Sequence, residues 1–374
     1  MKPVLKKGLL CLLLMIIFLE PVRAIELTAE AAVVIDSVTG AVIYGKNQDA
    51  RLGMASTTKI MTGILAIENG NMQDVVTVGK NACNVEGSAI YLKEGEKITF
   101  ETLVYGLLLK SGNDAAMAIA EHISGSVPAF VKLMNDKAKE LGLKSTSFAN
   151  PHGLYDPNHY TTAYELALIG RYAMKNPTFE KIVNTANYRE TPPESRTPRE
   201  IHNANKLISM YAEADGIKPG YTPETGRTLV GSATKDGWRV ITVTLNCRDD
   251  WNEHKKMFDY AFQNYHLQKI MKKGAGVGTF RVSNGVDHEV GVVAGADIYA
   301  PVKNGEEKNY QINIQNTELT APVQDDQVVG QATITLAGGQ KATVELRTNS
   351  GVDPKSRNLF EIVWELVLAL FGAA

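Results

Sequence analysis

Ala55-Ser-Thr-Thr-Lys-Ile-Met-Thr62 opens an almost wholly apolar run that continues through Ile64, Leu65 and Ile67 to Asn69. Apolar residues on nearly every side of a helical period predict a buried helix over residues 56–69. Its first turn carries Ser56 and Lys59, three residues apart and therefore neighbours on a helix surface. A serine hydroxyl is a weak nucleophile until a base takes its proton. A lysine serves as that base only when burial or a nearby cation lowers its pKa. The apolar run supplies the burial, and the helix N-terminus adds partial positive charge beside the hydroxyl. Ser56 and Lys59 are therefore the candidate nucleophile and base. The spacing recurs at Ser232-Ala-Thr-Lys235. That copy runs into an Asp236-Gly237 turn with no helix behind it, so Ser232 reads as a plain surface residue.

On the N-terminal side, apolar runs over residues 31–36 and 41–44 flank Ser37-Val-Thr-Gly40 and predict a strand hairpin. On the C-terminal side, a long helical tract over residues 100–123 is broken by Lys110-Ser-Gly-Asn-Asp114. Further helices are expected over 127–141 and 162–174. A proline-rich loop follows over 191–198. Strands over 226–233 and 238–246 flank Lys235-Asp-Gly237, a hairpin signal, and a helix over 252–265 closes the segment. Strands at both ends with helices between them indicate an α/β domain over residues 25–268 whose sheet draws on both ends. Beyond Tyr265 apolar residues alternate with polar ones, as at Tyr310, Ile312 and Ile314, and Ala337-Gly-Gly-Gln340 joins two such runs. This predicts a small all-β domain over 269–352, with the boundary near residues 268–274.

Two loops can complete a site. A buried helix has little reason to stop at Ser111-Gly-Asn113 unless the loop is used. A second hydroxyl there can pass protons, and Asn113 offers a donor and an acceptor to a substrate amide. Lys218-Pro-Gly220 places a cation where it can hold a substrate carboxylate and depress the pKa of Lys59. Gly220 would let a substrate approach the strand backbone. Lys-x-Gly is common, and Lys235-Asp-Gly237 repeats it, so its weight comes from order and company.

Composition excludes other classes. The 374 residues carry Lys+Arg 39 against Asp+Glu 41, with no basic excess for nucleic acid. The histidines do not repeat at ligand spacing, so no metal is expected. Residues 1–24 read as a secretory leader: a basic start at Lys2, Lys6 and Lys7, an apolar run, then Val22-Arg-Ala24. Cys83 and Cys247 remain, read as free thiols. Residues 353–374 predict an amphipathic helix. Glu361 and Glu365 lie on one narrow face, which favours a helix lying in a membrane interface over one that spans it.

The ordered set Ser-x-x-Lys, Ser-x-Asn, Lys-x-Gly resembles that of the penicillin-binding proteins and β-lactamases. Nearly the whole mature chain resembles the low-molecular-mass D-alanyl-D-alanine carboxypeptidases. The match runs through residues 55–62, Leu109-Lys-Ser-Gly-Asn-Asp-Ala115, Phe148-Ala-Asn-Pro-His-Gly-Leu154, Asn203-Ala-Asn-Lys206 and Asp215-Gly-Ile-Lys218. The resemblance implies an α+β sandwich of the β-lactamase/transpeptidase type, with an antiparallel sheet between helices, then the small β domain and the tail helix. It implies that Ser56 is acylated by a stem peptide ending in D-Ala-D-Ala, or by a β-lactam, with Lys59 as base. Ser111 and Asn113 would assist proton transfer and hold the peptide. Lys218, Gly220 and Tyr221 would line the carboxylate and oxyanion sites, the latter formed by the N–H groups of Ser56 and Tyr221. No cofactor is implied. The implied location is the outer face of the cytoplasmic membrane. Pro219 replaces the family's threonine, which predicts weakened carboxylate recognition unless Thr222 or Arg248 substitutes. Three alternatives share the fold. One is a sensor without efficient catalysis and another is an endopeptidase. The third is a β-lactamase, against which Glu165-Leu-Ala-Leu168 lacks the asparagine that class uses.

Overall fold

The computed structural model describes residues 25–356, apart from 192, 194–196, 307–309, 316–317 and 337–340, together with 363–364. The expected leader, the expected turn at 337–340 and most of the tail beyond residue 356 lie outside the described residues. The tail helix expected from residue 353 does not start there: 353–356 are not helical, with Pro354 bridged to Gly285 and Lys355 N donating to Asn284 O.

The chain begins with an antiparallel hairpin, β1 (Ala31–Asp36) and β2 (Val42–Lys46). Asp36 closes its turn, accepting from the N–H of Val38 and of Thr39. A 3-10 turn at Ala55–Thr58 leads into α1 (Lys59–Asn69), so the expected helix starts as a tighter coil at Ser56. A short hairpin of β3 (Val75–Thr77) and β4 (Lys97–Thr99) precedes α2 (Phe100–Leu108) and α3 (Asn113–Ser124), with the break where the sequence placed it. Then come α4 (Val127–Glu140), α5 (Ala163–Ala173) and α6 (Pro177–Val183), whose first turns are capped by Ser126, Thr162 and Asn176 respectively. A third antiparallel pair, β5 (Asn187–Glu190) with β6 (Arg199–His202), and one turn of helix, α7 (Leu207–Met210), lead to three long strands. These are β7 (Ala214–Thr222), β8 (Gly226–Lys235) and β9 (Trp238–Leu245), followed by α8 (Asp250–Asn264).

The five-stranded sheet runs β2-β1-β9-β8-β7, antiparallel throughout, so strands from the two ends of the domain meet at Ala31↔Leu245. Its period of two serves two cores. Val33, Ile35, Ile217, Val230 and Ile241 face Ile60, Ile64 and Leu65 of α1 and Leu166 of α5. Ala32, Val34, Leu229 and Val240 face Met257, Phe258 and Ala261 of α8. Each such Val, Leu or Ile contributes ~1.5–3 kcal/mol by leaving water. Helices therefore cover both faces, and β7 is left as an edge strand, with β2 at the other edge. An edge tolerates Pro219, whose missing N–H costs no ladder bond when it faces outward.

The β domain follows without a linker. β10 (Tyr265–Met271) starts at the residue after α8 and runs through the boundary expected near residue 268, because α8 ends at Asn264. It is followed by β11 (Gly276–Ser283), β12 (Glu289–Ala294) and β13 (Ile298–Lys303), the last of which pairs with β10. The remaining strands are β14 (Tyr310–Ile314), β15 (Leu319–Thr320), β16 (Val328–Leu336) and β17 (Lys341–Thr348). They complete a six-stranded sheet, β14-β16-β17-β12-β11-β15, over a core that includes Phe280, Val292, Ile334 and Leu346.

Candidate active site

The apolar packing of α1 brings Lys59 fully inside the protein. Its Nζ lies 3.0 Å from Ser56 Oγ, 2.7 Å from Asn113 Oδ1 and 2.5 Å from the carbonyl oxygen of His152. The two carbonyl oxygens can only accept. A neutral amine therefore directs its two hydrogens at them and leaves its lone pair for the Ser56 hydroxyl proton. The electrostatics favour the neutral form. Burial, and then the charge of Lys218, hold Lys59 well below its ordinary range.

Ser56 sits on the 3-10 turn behind Ala55, whose φ of 45° is left-handed. Two glycines admit this turn. A Cβ on Gly153, itself at φ +93°, would fall 1.9 Å from the Ala55 oxygen. A Cβ on Gly220 would fall 2.8 Å from Ser56 N and 3.0 Å from Thr57 N. The Gly220 finding corrects the sequence reading. The space where a side chain would stand is taken by the nucleophile turn itself.

The break between α2 and α3 holds Ser111 at φ 65° and points Asn113 at Lys59. Ser111 Oγ is buried and has no hydrogen-bond partner among the described residues. Asn113 Nδ2 donates to the carbonyl of Glu86 at 2.5 Å, and Asn113 N donates to Ser88 O. The Asn113 acceptor is thus taken by Lys59, and one of its amide hydrogens holds the loop at 86–88; the second hydrogen is the donor left for a substrate. Asp114 anchors the same loop, accepting from the N–H of Ile90 and of Leu92.

Lys218 is fully buried on β7, and among the described residues its one hydrogen bond goes to the neighbouring Pro219 carbonyl at 3.2 Å. Burial pushes it down to about 7. Tyr221 is exposed on the edge strand. It is two residues beyond Pro219, so in a strand its N–H shares the outward side that the proline occupies. Thr222 does not replace the family's threonine. Its hydroxyl accepts from Thr225 N at 3.2 Å and meets Thr225 Oγ1 at 2.9 Å, closing the β7–β8 turn. Arg248 is exposed past β9, and no hydrogen bond or ion pair holds it among the described residues. The structure thus gathers Ser56, Lys59, Asn113, Lys218 and Gly220, with Tyr221 next to Gly220 on the edge strand, and among the described residues it leaves the side chains of Ser111, Thr222 and Arg248 without a hydrogen bond to them.

Residue-type profiles of known families agree with this geometry. The D-alanyl-D-alanine carboxypeptidase profile matches residues 19–249. The chain belongs to this family. The profile of the penicillin-binding protein 5 C-terminal domain matches residues 265–353. Among curated carboxypeptidases, DacF of Bacillus subtilis is 37% identical over 82% of this chain and 82% of its own length. DacC of Escherichia coli is 33% identical over 94% and 90%. The crystal structure of penicillin binding protein 5 from Haemophilus influenzae superposes with a TM-score of 0.77 at 31% identity, covering 88% of this chain and 99% of that one.

Against this family background the second Ser-x-x-Lys is settled. Ser232 is not a surface residue: it is fully buried and hydrogen-bonded to Asp215, while Lys235 stands over the Phe262 ring. Cys83 and Cys247 are both free. Cys247 donates to Glu253 at 3.0 Å, and burial pushes its thiol up to about 12. Sequence reading missed His152, Gly153, His159 and the loop at 86–92. Only the Asn-Pro-His-Gly segment carried a signal, and that signal named a family rather than a contact.

Proposed function

We propose that this carboxypeptidase removes the terminal D-alanine from peptidoglycan stem peptides ending in D-alanyl-D-alanine, through an ester on Ser56. The observation that carries the reading is the buried Lys59 amine 3.0 Å from Ser56 Oγ, with both its hydrogens directed elsewhere. Neutral Lys59 takes the serine proton as Oγ attacks the penultimate D-alanine carbonyl, and such a base is worth ~100- to 10,000-fold. The N–H groups of Ser56 and Tyr221 hold the developing oxyanion, each worth ~100- to 1,000-fold. Collapse breaks the C–N bond, and Ser111, whose buried hydroxyl has no hydrogen-bond partner among the described residues, passes the proton from Lys59 to the leaving amine. Lys218 holds the terminal carboxylate. Water then hydrolyses the ester. Penicillin opens its ring on the same serine and leaves slowly.

A β-lactamase reading is poorly supported. Glu165, the nearest counterpart of a deacylating glutamate, accepts from Lys144 N at 2.8 Å, Ser145 N at 2.9 Å and Thr146 Oγ1 at 2.6 Å. It is a structural carboxylate. The proposal extends to location. Residues 1–24 direct secretion, and the tail beyond residue 356 lies as a peripheral anchor on the outer face of the cytoplasmic membrane.

Mass spectrometry of the purified chain with a muramyl pentapeptide and with penicillin tests the reading. Loss of one D-alanine and a stable adduct on Ser56 are expected. No adduct on Ser56, or a pentapeptide left intact, would overturn it.

A further inference from the structure

A buried relay ends on the peptide bond that precedes the nucleophile. His159 is almost fully buried in the loop before α5. Its Nδ1 accepts from Ala149 N at 2.9 Å. A backbone N–H can only donate, so in the neutral ring the proton resides on Nε2. Nε2 lies 2.6 Å from Thr58 Oγ1 and donates to it. The threonine hydroxyl has one hydrogen, which goes to the Ala55 carbonyl 2.7 Å away. Burial pushes His159 down to about 4, so the ring stays neutral at ordinary pH.

The Ala55 carbonyl and the Ser56 N–H belong to one planar peptide unit and point in opposite directions. Fixing the carbonyl aims the N–H. The backbone does not choose this orientation unaided, because φ 45° at a non-glycine residue costs ~1–3 kcal/mol and persists only when surroundings impose it. Two features impose it here: the missing side chain of Gly153 opposite the carbonyl, and the Thr58 hydroxyl bonded to it.

We propose that His159 is a positioning residue, acting through Thr58 to aim the Ser56 N–H at the oxygen of the tetrahedral intermediate. The proposal rests on the reading of Ser56 as the acylated nucleophile. A chain of donors polarises along its length, so the relay also strengthens the N–H as a donor. His159 and Thr58 touch no reacting atom.

The test compares Thr58→Val, His159→Ala and His159→Gln by the rate of acylation with a fluorescent penicillin and by affinity for a boronic acid that forms a tetrahedral adduct. Valine keeps the shape of threonine and removes the relay. Because one oxyanion donor is worth ~100- to 1,000-fold, a misaimed one should lower the acylation rate of Thr58→Val and of His159→Ala by about tenfold or more. Boronate affinity should fall in parallel. Glutamine accepts from Ala149 and donates to Thr58, so His159→Gln should recover most of the loss. Wild-type acylation by Thr58→Val, or a glutamine variant no better than the alanine one, would overturn the relay. Failure of the wild-type chain to take the label at all would instead overturn acylation of Ser56.

Discussion

Replacing Gly220 by alanine tests how closely the edge strand holds the nucleophile turn. The new Cβ would lie 2.8 Å from Ser56 N, 3.0 Å from Thr57 N and 2.5 Å from Thr228 Oγ1. Ordinary carbon contacts lie near ~3.5–4 Å. The threonine hydroxyl can rotate away, but the two backbone nitrogens cannot move without carrying Ser56 with them. Relief therefore displaces the nucleophile by roughly 0.5–1 Å, and misplacement of about 1 Å costs ~100-fold in rate. That loss corresponds to about 2.7 kcal/mol of activation free energy. Overpacking should also cost ~1–3 kcal/mol of stability, seen as a Tm lower by about 2–4 °C for each kcal/mol. The assay is the second-order rate of acylation by a fluorescent penicillin at a temperature well below the transition, beside a melting curve. An alanine variant that acylates within about threefold of wild type would show that the turn does not depend on this contact.

Three further outcomes are expected. Pro219→Thr restores the family's hydroxyl beside Lys218, and should raise turnover of a D-Ala-D-Ala peptide by about 10- to 100-fold, one charge-assisted hydrogen bond's worth; equal turnover and equal penicillin acylation would refute it. Carboxylate capture needs Lys218 charged and proton abstraction needs Lys59 neutral. With Lys218 at about 7 in the free enzyme, kcat/KM should decline as pH rises through about 7. Removing the charge by Lys218→Ala should abolish that decline and move the acid limb to higher pH, because Lys218 no longer opposes protonation of Lys59. An unchanged acid limb in titrated kcat/KM would contradict the coupling. Ser232→Ala should leave acylation unaltered and lower stability by ~1–2 kcal/mol in a denaturant melt, since Asp215 keeps Thr234 and Arg239.

The chemistry was legible where it depends on neighbours in sequence. Ser56 and Lys59 share a turn, and an interrupted apolar helix at Ser111 announced a loop with a task. Contacts between distant segments left no such trace. Gly153 meets Ala55 across nearly a hundred residues, and nothing in Pro-His-Gly states which carbonyl it accommodates. Gly220 was given the right strand and the wrong neighbour, because the space beside a glycine does not reveal what fills it. Ser232 was read as exposed because its strand ends in a turn, yet β8 lies between β7 and β9 and is covered on both faces. The hairpin of β3 and β4 has three residues a side, too few for a period of two to register.

The sheet order also sets when this enzyme comes into being. Ala31 must find Leu245 before the first strand has a second neighbour, and closing a loop of that length costs roughly 5 kcal/mol of chain entropy beyond a constant. Such long-range pairing makes folding slow and unitary. A growing chain that stopped short of Trp238 would already carry every group named in the reaction and would have no scaffold on which to bring them together.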